Sequence, residues 1–121
     1  YSAPYGKVRP ITSNILKNLG FKIVRTNDSG YCSYFSEDDL CVPSIDINNY
    51  SNIDSIKSKI DYIIKTGQVL GINTYDVTEY GDELNAKKNM FEEIIDYIKE
   101  KVDTDQLQCM SYKTFYNKCV K

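Results

Sequence analysis

Apolar residues recur at helical spacing in two long segments of the chain. The first has isoleucine at positions 53, 56, 60, 63 and 64, and its start, Ser51-Asn52-Ile53-Asp54, resembles a capping box. The second runs from Ala86 to Val102, with an apolar stripe of Phe91, Ile94, Ile95, Ile98 and Val102. This pattern predicts two amphipathic helices, of which the first ends at Gly67 as a C-cap.

Between these helices lies a short apolar and β-branched stretch, Gly67 to Val77. Its composition and its initial turn residues predict a buried strand that ends near Tyr75. In α/β folds the chemistry lies at the carboxyl ends of strands, so Thr74, Tyr75 and Asp76 are the first candidates for a site. The polar residues 78–85 predict a loop before the longest helix.

The first 25 residues predict a strand, a tight turn, a helix and a second strand. The segments are Tyr1 to Gly6 for the strand end and turn, Asn14 to Leu19 for the helix, and Phe21 to Arg25 for the strand. We expect Thr12 or Ser13 to cap the helix and Gly20 to end it.

The remaining segments complete an alternating order of strands and helices. Residues 26–40 predict a long polar loop, and residues 41–47 an extended segment broken by Pro43. Residues 107–110 predict a last strand, and Ser111 is expected to cap a final short helix. This alternation predicts a single α/β domain over residues 1–121, with parallel strands, right-handed crossovers and flanking helices.

Composition and charge narrow the function classes. The formal net charge is -2 and no basic block stands out, which argues against nucleic acid as a partner. No apolar run reaches transmembrane length, so no membrane span is predicted. The chain contains no His, which excludes a His-based triad or a His-ligated metal site built from this chain alone.

Two polar features have alternative interpretations. The four cysteines form no C-x-x-C pair and are interpreted as separate, mostly buried thiols. The alternative is a Cys32–Cys41 disulfide closing the polar loop, which would imply an oxidising compartment. The acidic run at positions 37–39 fits no calcium loop and predicts a solvated loop.

Two motifs at this spacing resemble the second half of a polysaccharide deacetylase domain, the NodB-homology or carbohydrate esterase family 4 fold. Ala3-Pro4-Tyr5-Gly6 is similar to the family's Arg-x-Pro-Tyr-Gly motif, with Ser2 at the Arg position. The stretch from Leu70 to Val77 is similar to the family's Leu-x-x-x-x-His-x-Ile motif, with Tyr75 at the His position. The resemblance covers nearly the whole chain.

The resemblance implies part of a distorted (β/α) barrel, of which this chain would be the C-terminal half. It implies a divalent, zinc-type metal only if an upstream segment supplies its ligands, an Asp and two His; for this chain alone we predict no metal site. It assigns catalytic positions to Tyr5, through its backbone N–H, and to Tyr75, and substrate binding to Pro4, Tyr5, Gly6 and Leu70. The Ser2 substitution removes a guanidinium that would orient a carboxylate.

The first hypothesis is therefore a degenerate deacetylase-like domain that recognises N-acetylated glycan of the cell surface or peptidoglycan. Its expected location is extracellular, on a cell surface or in a virion, with an upstream segment or another protein chain completing the barrel. The second hypothesis is an active metal-dependent N-deacetylase completed by that segment. The third is a non-catalytic α/β interaction module. Pro4-Tyr5-Gly6 is also compatible with a plain turn, and Tyr75 with a strand-end residue packed under a loop.

Overall fold

A computed structural model describes residues 1–27, Gly30 and 41–119, with the side chain of Cys119 excepted. Most of the predicted loop 26–40, including Cys32 and the acidic run, lies outside the described residues. The chain divides into two compact units. Unit 1 comprises Tyr1–Ile45, Val69–Gly71 and Met110–Lys121, and unit 2 comprises Asp46–Gln68 and Ile72–Cys109.

The elements follow the predicted alternation of helices and short strands. The helices are α1 (Pro10–Asn18), α2 (Ile53–Thr66), α3 (Lys88–Asp103) and α4 (Tyr112–Cys119). The strands are β1 (Val24–Arg25), β2 (Cys41–Val42), β3 (Ser44–Asp46), β4 (Gly71–Asn73), β5 (Val77–Thr78) and β6 (Ala86–Lys87). A single 3-10 turn, Pro4–Gly6, precedes α1, and we call it the Tyr5 turn.

The described strands form three pairs, β1–β2, β3–β4 and β5–β6. The first and third pairs are parallel, which confirms the mixed α/β class with parallel strands. Among the residues that the structure describes, these pairs do not close into a barrel. The described helices include none long and apolar enough to cross a membrane.

In unit 1, parallel pairing brings the N-terminal segment beside β1. Ser2 bridges Arg25, and on the other side of β1 Arg25 is in register with Val42. Two small clusters stabilise this arrangement: Ala3, Leu16 and Val24 with Val8, and Val42 and Phe115 with Ile23, Val69 and Met110. The N-terminal segment and α1 therefore share one cluster, and α4 contributes to the other.

In unit 2, α2 and α3 pack along the apolar stripes that the sequence predicts. The buried side chains are Ile56, Ile60 and Ile63 on α2 and Met90 and Ile94 on α3. Ile95, which the predicted stripe included, is instead 44% exposed. The stripe of α3 is therefore narrower than predicted, since a residue next to Ile94 points about 100° away around the helix.

Polar groups also join α2 to α3. Lys57 Nζ lies 2.6 Å from Glu93 Oε1, and the Tyr97 hydroxyl donates a 2.6 Å hydrogen bond to Asp61 Oδ1. The Lys57 and Lys101 ammonium groups lie 5.3 Å and 4.8 Å from the centroid of the Tyr97 ring. Tyr97 therefore stands between two cations and a carboxylate, a cation–π arrangement on a partly exposed surface.

Several predicted boundaries are wrong at the ends of elements. The helix predicted from Asn14 begins at Pro10, because proline at the first helical position needs no N–H partner and already has a helical φ. The cap of α2 is Asn52, whose side chain accepts from Ser55 N, so the proposed capping box is not formed. Ser111 does cap α4, accepting a hydrogen bond from Thr114 N.

The predicted strands differ more from the structure than the predicted helices. The strand predicted to end near Tyr75 is reduced to β4, which ends at Asn73 and has Gly71 as its one buried residue, and Val77 begins the separate strand β5. Ala86, the predicted start of the longest helix, belongs to β6 and is followed by α3. Residues 107–110 are described and form no strand; Met110 instead packs against the Val42–Phe115 cluster.

Candidate functional site

The Tyr5 turn follows directly after the Ser2–Arg25 bridge. Gly6 N donates to Ala3 O at 2.9 Å, which closes the turn. Tyr5 itself has φ 54° and ψ 17°, in the left-handed region that a bulky residue rarely adopts. Its side chain is 96% exposed. A strained backbone therefore holds an aromatic ring in solvent, and strain of this kind is concentrated at functional sites.

The turn is locked against the segment that follows β1. Asn27 N donates a 3.0 Å hydrogen bond to Gly6 O. Gly6 has φ +67°, and a Cβ at this position would lie 2.4 Å from Asn27 Cβ. Only glycine fits such a close approach, so Gly6 fixes the distance between the turn and Asn27.

Arg25 ties the same segments together through its side chain. Its Nη2 donates to Ser2 Oγ at 2.7 Å, and its Nη1 donates to Asn27 Oδ1 at 3.1 Å. Arg25 is the last residue of β1, so its guanidinium lies at the carboxyl end of a parallel strand. Sites in α/β folds are found at this edge.

Arg25 thus places a guanidinium beside Ser2, the residue at the Arg position of the motif that the sequence resembles. Arg25 and Asn27 were not predicted as site residues from the sequence. The available signal was a pair of polar residues at and just after the predicted strand Phe21 to Arg25. The bond from Arg25 to Ser2 spans 23 positions, which no local pattern reveals.

Leu70 lies in the same unit as the Tyr5 turn and is half-buried just before β4. The next residue, Gly71, is closely surrounded. A Cβ at Gly71 would lie 2.7 Å from Pro43 O and 3.1 Å from the hydroxyl oxygen of Tyr112. Pro4, Tyr5, Gly6 and Leu70 are therefore all residues of unit 1.

Tyr75 belongs to unit 2, where it follows β4 in a bend. The bend is closed by Asp76, whose Oδ1 accepts a 2.7 Å hydrogen bond from Val77 N, while Thr74 Oγ1 donates to the Asp76 carbonyl at 3.2 Å. The Tyr75 side chain is 59% exposed, so it does not pack under a loop. The two tyrosines assigned catalytic positions, Tyr5 and Tyr75, lie in different units.

The described residues do not fit the metal site that the resemblance implies. The chain has no His. In residues 1–27, Gly30 and 41–119, no group of three or more Cys, Asp or Glu side chains could hold a metal ion. No catalytic step is therefore derived through a metal.

The cysteines only partly match the expected pattern of buried thiols. Cys109 is exposed, because residues 107–110 run irregularly along the surface instead of forming a buried strand. Cys41 is half-buried. Cys32, its proposed disulfide partner, lies outside the described residues.

No protein family, curated protein or solved structure matches this chain in comparisons with known proteins. The feature with the most support from geometry is the group formed by the Tyr5 turn, Ser2, Arg25 and Asn27. It combines an exposed ring, a guanidinium and backbone groups held by short contacts.

Proposed function

We propose that this chain is a polysaccharide deacetylase-like domain that recognises N-acetylated glycan of the cell surface or peptidoglycan through the Tyr5 turn. The single observation that carries the proposal is the 96% exposed Tyr5 side chain on a left-handed backbone. An exposed tyrosine ring offers both an apolar face and a polar hydroxyl, which suits the faces and edges of a sugar. Because the contacts of Gly6 already hold the backbone of the turn, binding would have to order only the Tyr5 side chain.

Recognition is favoured over turnover because of the residue at the His position of the second motif. A group that transfers protons works best when its pKa is near the operating pH. The imidazole of His has an ordinary pKa of about 6.5, close to neutrality. Tyr75 lacks this imidazole, so it is a poor replacement for a His that protonates a leaving amine.

The proposal includes a second polypeptide segment, upstream in the same protein or on another chain, that completes the barrel. It is supported by an apolar stripe that runs along α1 to its C-terminal cap residue, Leu19. Ile11, Ile15 and Leu19 recur at intervals of four and are 69%, 53% and 69% exposed. Side chains at this spacing share one helix face, and such a contiguous apolar face is typical of an interaction surface. Glycan recognition and such a partner fit an extracellular, cell-surface or virion location.

The test compares two exposed tyrosines in a binding titration with N-acetylglucosamine oligomers and peptidoglycan fragments. We expect Tyr5→Ala to weaken binding by about tenfold, since exposed aromatic anchors dominate such contacts. Tyr80→Ala is the matched control, because Tyr80 is 85% exposed and lies in unit 2. Equal affinities of the two variants would rule out the Tyr5 turn as the site.

Acetate release from the same oligomers separates recognition from catalysis. Turnover by the unmutated protein at about 1–10³ per second, the ordinary range for enzymes, would favour an active deacetylase instead. A protein that binds no glycan at all would favour the interaction module. Binding that depends on Tyr5 without acetate release supports the proposal.

A further inference from the structure

The N-terminal part of unit 1 has an unusual charge distribution. Residues 1–27 contain five basic residues, Lys7, Arg9, Lys17, Lys22 and Arg25, and no Asp or Glu, although the whole chain has a formal net charge of -2. The Tyr5 turn lies within this segment. A local excess of one charge attracts ligands of the opposite charge and raises their rate of association.

Within this segment the guanidinium of Arg25 is held in place by two side-chain hydrogen bonds. Its hydrogen bonds to Ser2 Oγ and Asn27 Oδ1 hold the guanidinium between two segments. Ser2 precedes the Tyr5 turn, and Asn27 packs on Gly6 of that turn. Both partners are neutral. Among the described residues no carboxylate forms an ion pair with Arg25.

The Arg25 guanidinium still has N–H donors with which it could bind a ligand. It carries five N–H donors in a planar fork, and its hydrogen bonds to Ser2 and Asn27 engage only a part of them. The fork matches the two oxygens of a carboxylate, and the hydrogen bonds to Ser2 and Asn27 reduce the side-chain entropy that binding would cost.

We propose that Arg25 binds a carboxylate of the glycan, so that the ligand is an acidic sugar rather than a neutral one. This inference rests on the proposed function, because it assumes that a sugar ring contacts Tyr5. The guanidinium and the Tyr5 turn share Asn27 as a partner, since Arg25 donates to Asn27 Oδ1 and Asn27 N donates to Gly6 O. The proposed ligand is a glycan that contacts Tyr5 and presents its carboxylate to Arg25.

The test uses two tetrasaccharides that differ in their lactyl groups, which carry the charge. The neutral probe is the N-acetylglucosamine tetramer, and the acidic probe replaces alternate units with N-acetylmuramic acid, which adds a lactyl carboxylate. We expect the unmutated protein to bind the acidic probe about tenfold more tightly, as one charge-assisted contact allows. This preference should shrink between about 0.05 M and about 0.5 M salt, because exposed charges are screened.

Three variants assign the preference to Arg25. Arg25→Gln should reduce the ratio of the affinities for the acidic and the neutral probe to about one, and Arg25→Lys should retain a part of the preference. The ratio is the readout because any loosening of the Tyr5 turn would weaken the binding of both probes alike. Arg9→Gln is the matched control, since it removes one charge from the same segment and should leave the preference within about twofold. If Arg25→Gln does not fold, Arg25→Lys and the salt series on the unmutated protein still decide the question.

The experiment separates failure of the Arg25 proposal from failure of the proposed glycan recognition. Equal binding of both probes, still sensitive to Tyr5→Ala, would make Arg25 a positioning residue of the turn and leave the proposed function intact. Binding of neither probe would overturn both proposals. A single-stranded oligonucleotide bound as tightly as the acidic probe would show general attraction of anions and overturn the specific role of Arg25.

Discussion

The helix α2 in unit 2 and the segment from the Tyr5 turn through α1 in unit 1 follow local sequence rules to different degrees. In unit 2, α2 begins at a side-chain cap from Asn52 and ends at Gly67, whose φ of 67° suits a left-handed cap. In unit 1, α1 has no side-chain cap at Arg9, its apolar stripe is exposed, and the Tyr5 turn places a bulky residue in the left-handed region. Departures from local rules tend to mark functional sites, so the contrast directs attention to unit 1.

The largest expected effect tests the ordinary packing of unit 2. Ile94 is fully buried and Ile95, its neighbour on the same helix, is 44% exposed. We expect Ile94→Ala to lower the free energy of unfolding by about 2–5 kcal/mol, because it removes a buried side chain and leaves a cavity. Ile95→Ala should cost less than about 1 kcal/mol. Urea unfolding of both variants measures the difference, and similar losses would mean that α3 packs in another rotation.

The next prediction compares the starts of two helices. Asn52→Ala should lower the free energy of unfolding by about 1 kcal/mol, because Ser55 N loses its side-chain acceptor. Arg9→Ser should raise it by a similar amount, since α1 has no side-chain cap and Arg9 already has the extended backbone of a cap. Denaturant midpoints test both changes. If both substitutions destabilise, Arg9 makes a contact that outweighs the missing cap, and the contrast between the units is weaker.

Local signals explain why α2 could be predicted almost to the residue. Its isoleucine spacing, a polar residue at its start and Gly67 all act within one or two turns. The start of α1 was missed because Pro10 was not recognised as a first helical residue. The apolar residues 107–110 suggested a strand, but a strand requires a partner ladder, and Met110 packs instead against a cluster from distant segments.

The candidate site could be predicted only in part from the sequence, because contacts between distant segments determine the rest of it. Pro4-Tyr5-Gly6 is a local turn signal, and the structure has a turn there. The role of Arg25 depends on a parallel register that brings it beside Ser2. The left-handed conformation of Tyr5 is not encoded by Tyr itself, because it follows from the contacts that Gly6 makes with Ala3 and Asn27.

A smaller change in the free energy of unfolding, in this case an increase, is expected at the Tyr5 turn. Tyr5→Gly should raise the free energy of unfolding by about 0.5–1 kcal/mol, because glycine adopts a positive φ without strain, although its unfolded state has more entropy. The same variant should lose affinity for glycan. Thermal melts and the binding titration measure the two quantities. Stabilisation with unchanged affinity would mean that the strain serves no binding role, and unit 1 would then differ from unit 2 in stability alone.

The smallest expected effect concerns the hydrogen bond between Tyr97 and Asp61 in unit 2. This bond, donated by the neutral phenol, raises the pKa of Tyr97 above its usual value of 10. A group whose pKa is raised by folding stabilises the folded state below its unfolded pKa and loses that contribution as the pH rises through its folded pKa. The contribution of Tyr97 is therefore present at neutral pH and disappears above about pH 10.

Tyr97→Phe isolates this contribution, because phenylalanine keeps the ring against Lys57 and Lys101 but removes the donor to Asp61. At pH 7 the unmutated protein should be more stable by about 0.5 kcal/mol, a small value because the pair is exposed to solvent. The hydrogen bond to Glu93 raises the pKa of Lys57 in both proteins, and the charge interaction between Lys57 and an ionised Tyr97 is a smaller contribution that phenylalanine removes. Asp82, whose pKa is lowered by the N–H groups of Leu84 and Asn85, titrates only at acidic pH and does not interfere.

Urea unfolding of both proteins between pH 7 and pH 11 should show the difference in stability shrinking above about pH 10. A difference that stays constant with pH would mean that the hydroxyl stabilises unit 2 without donating to a carboxylate.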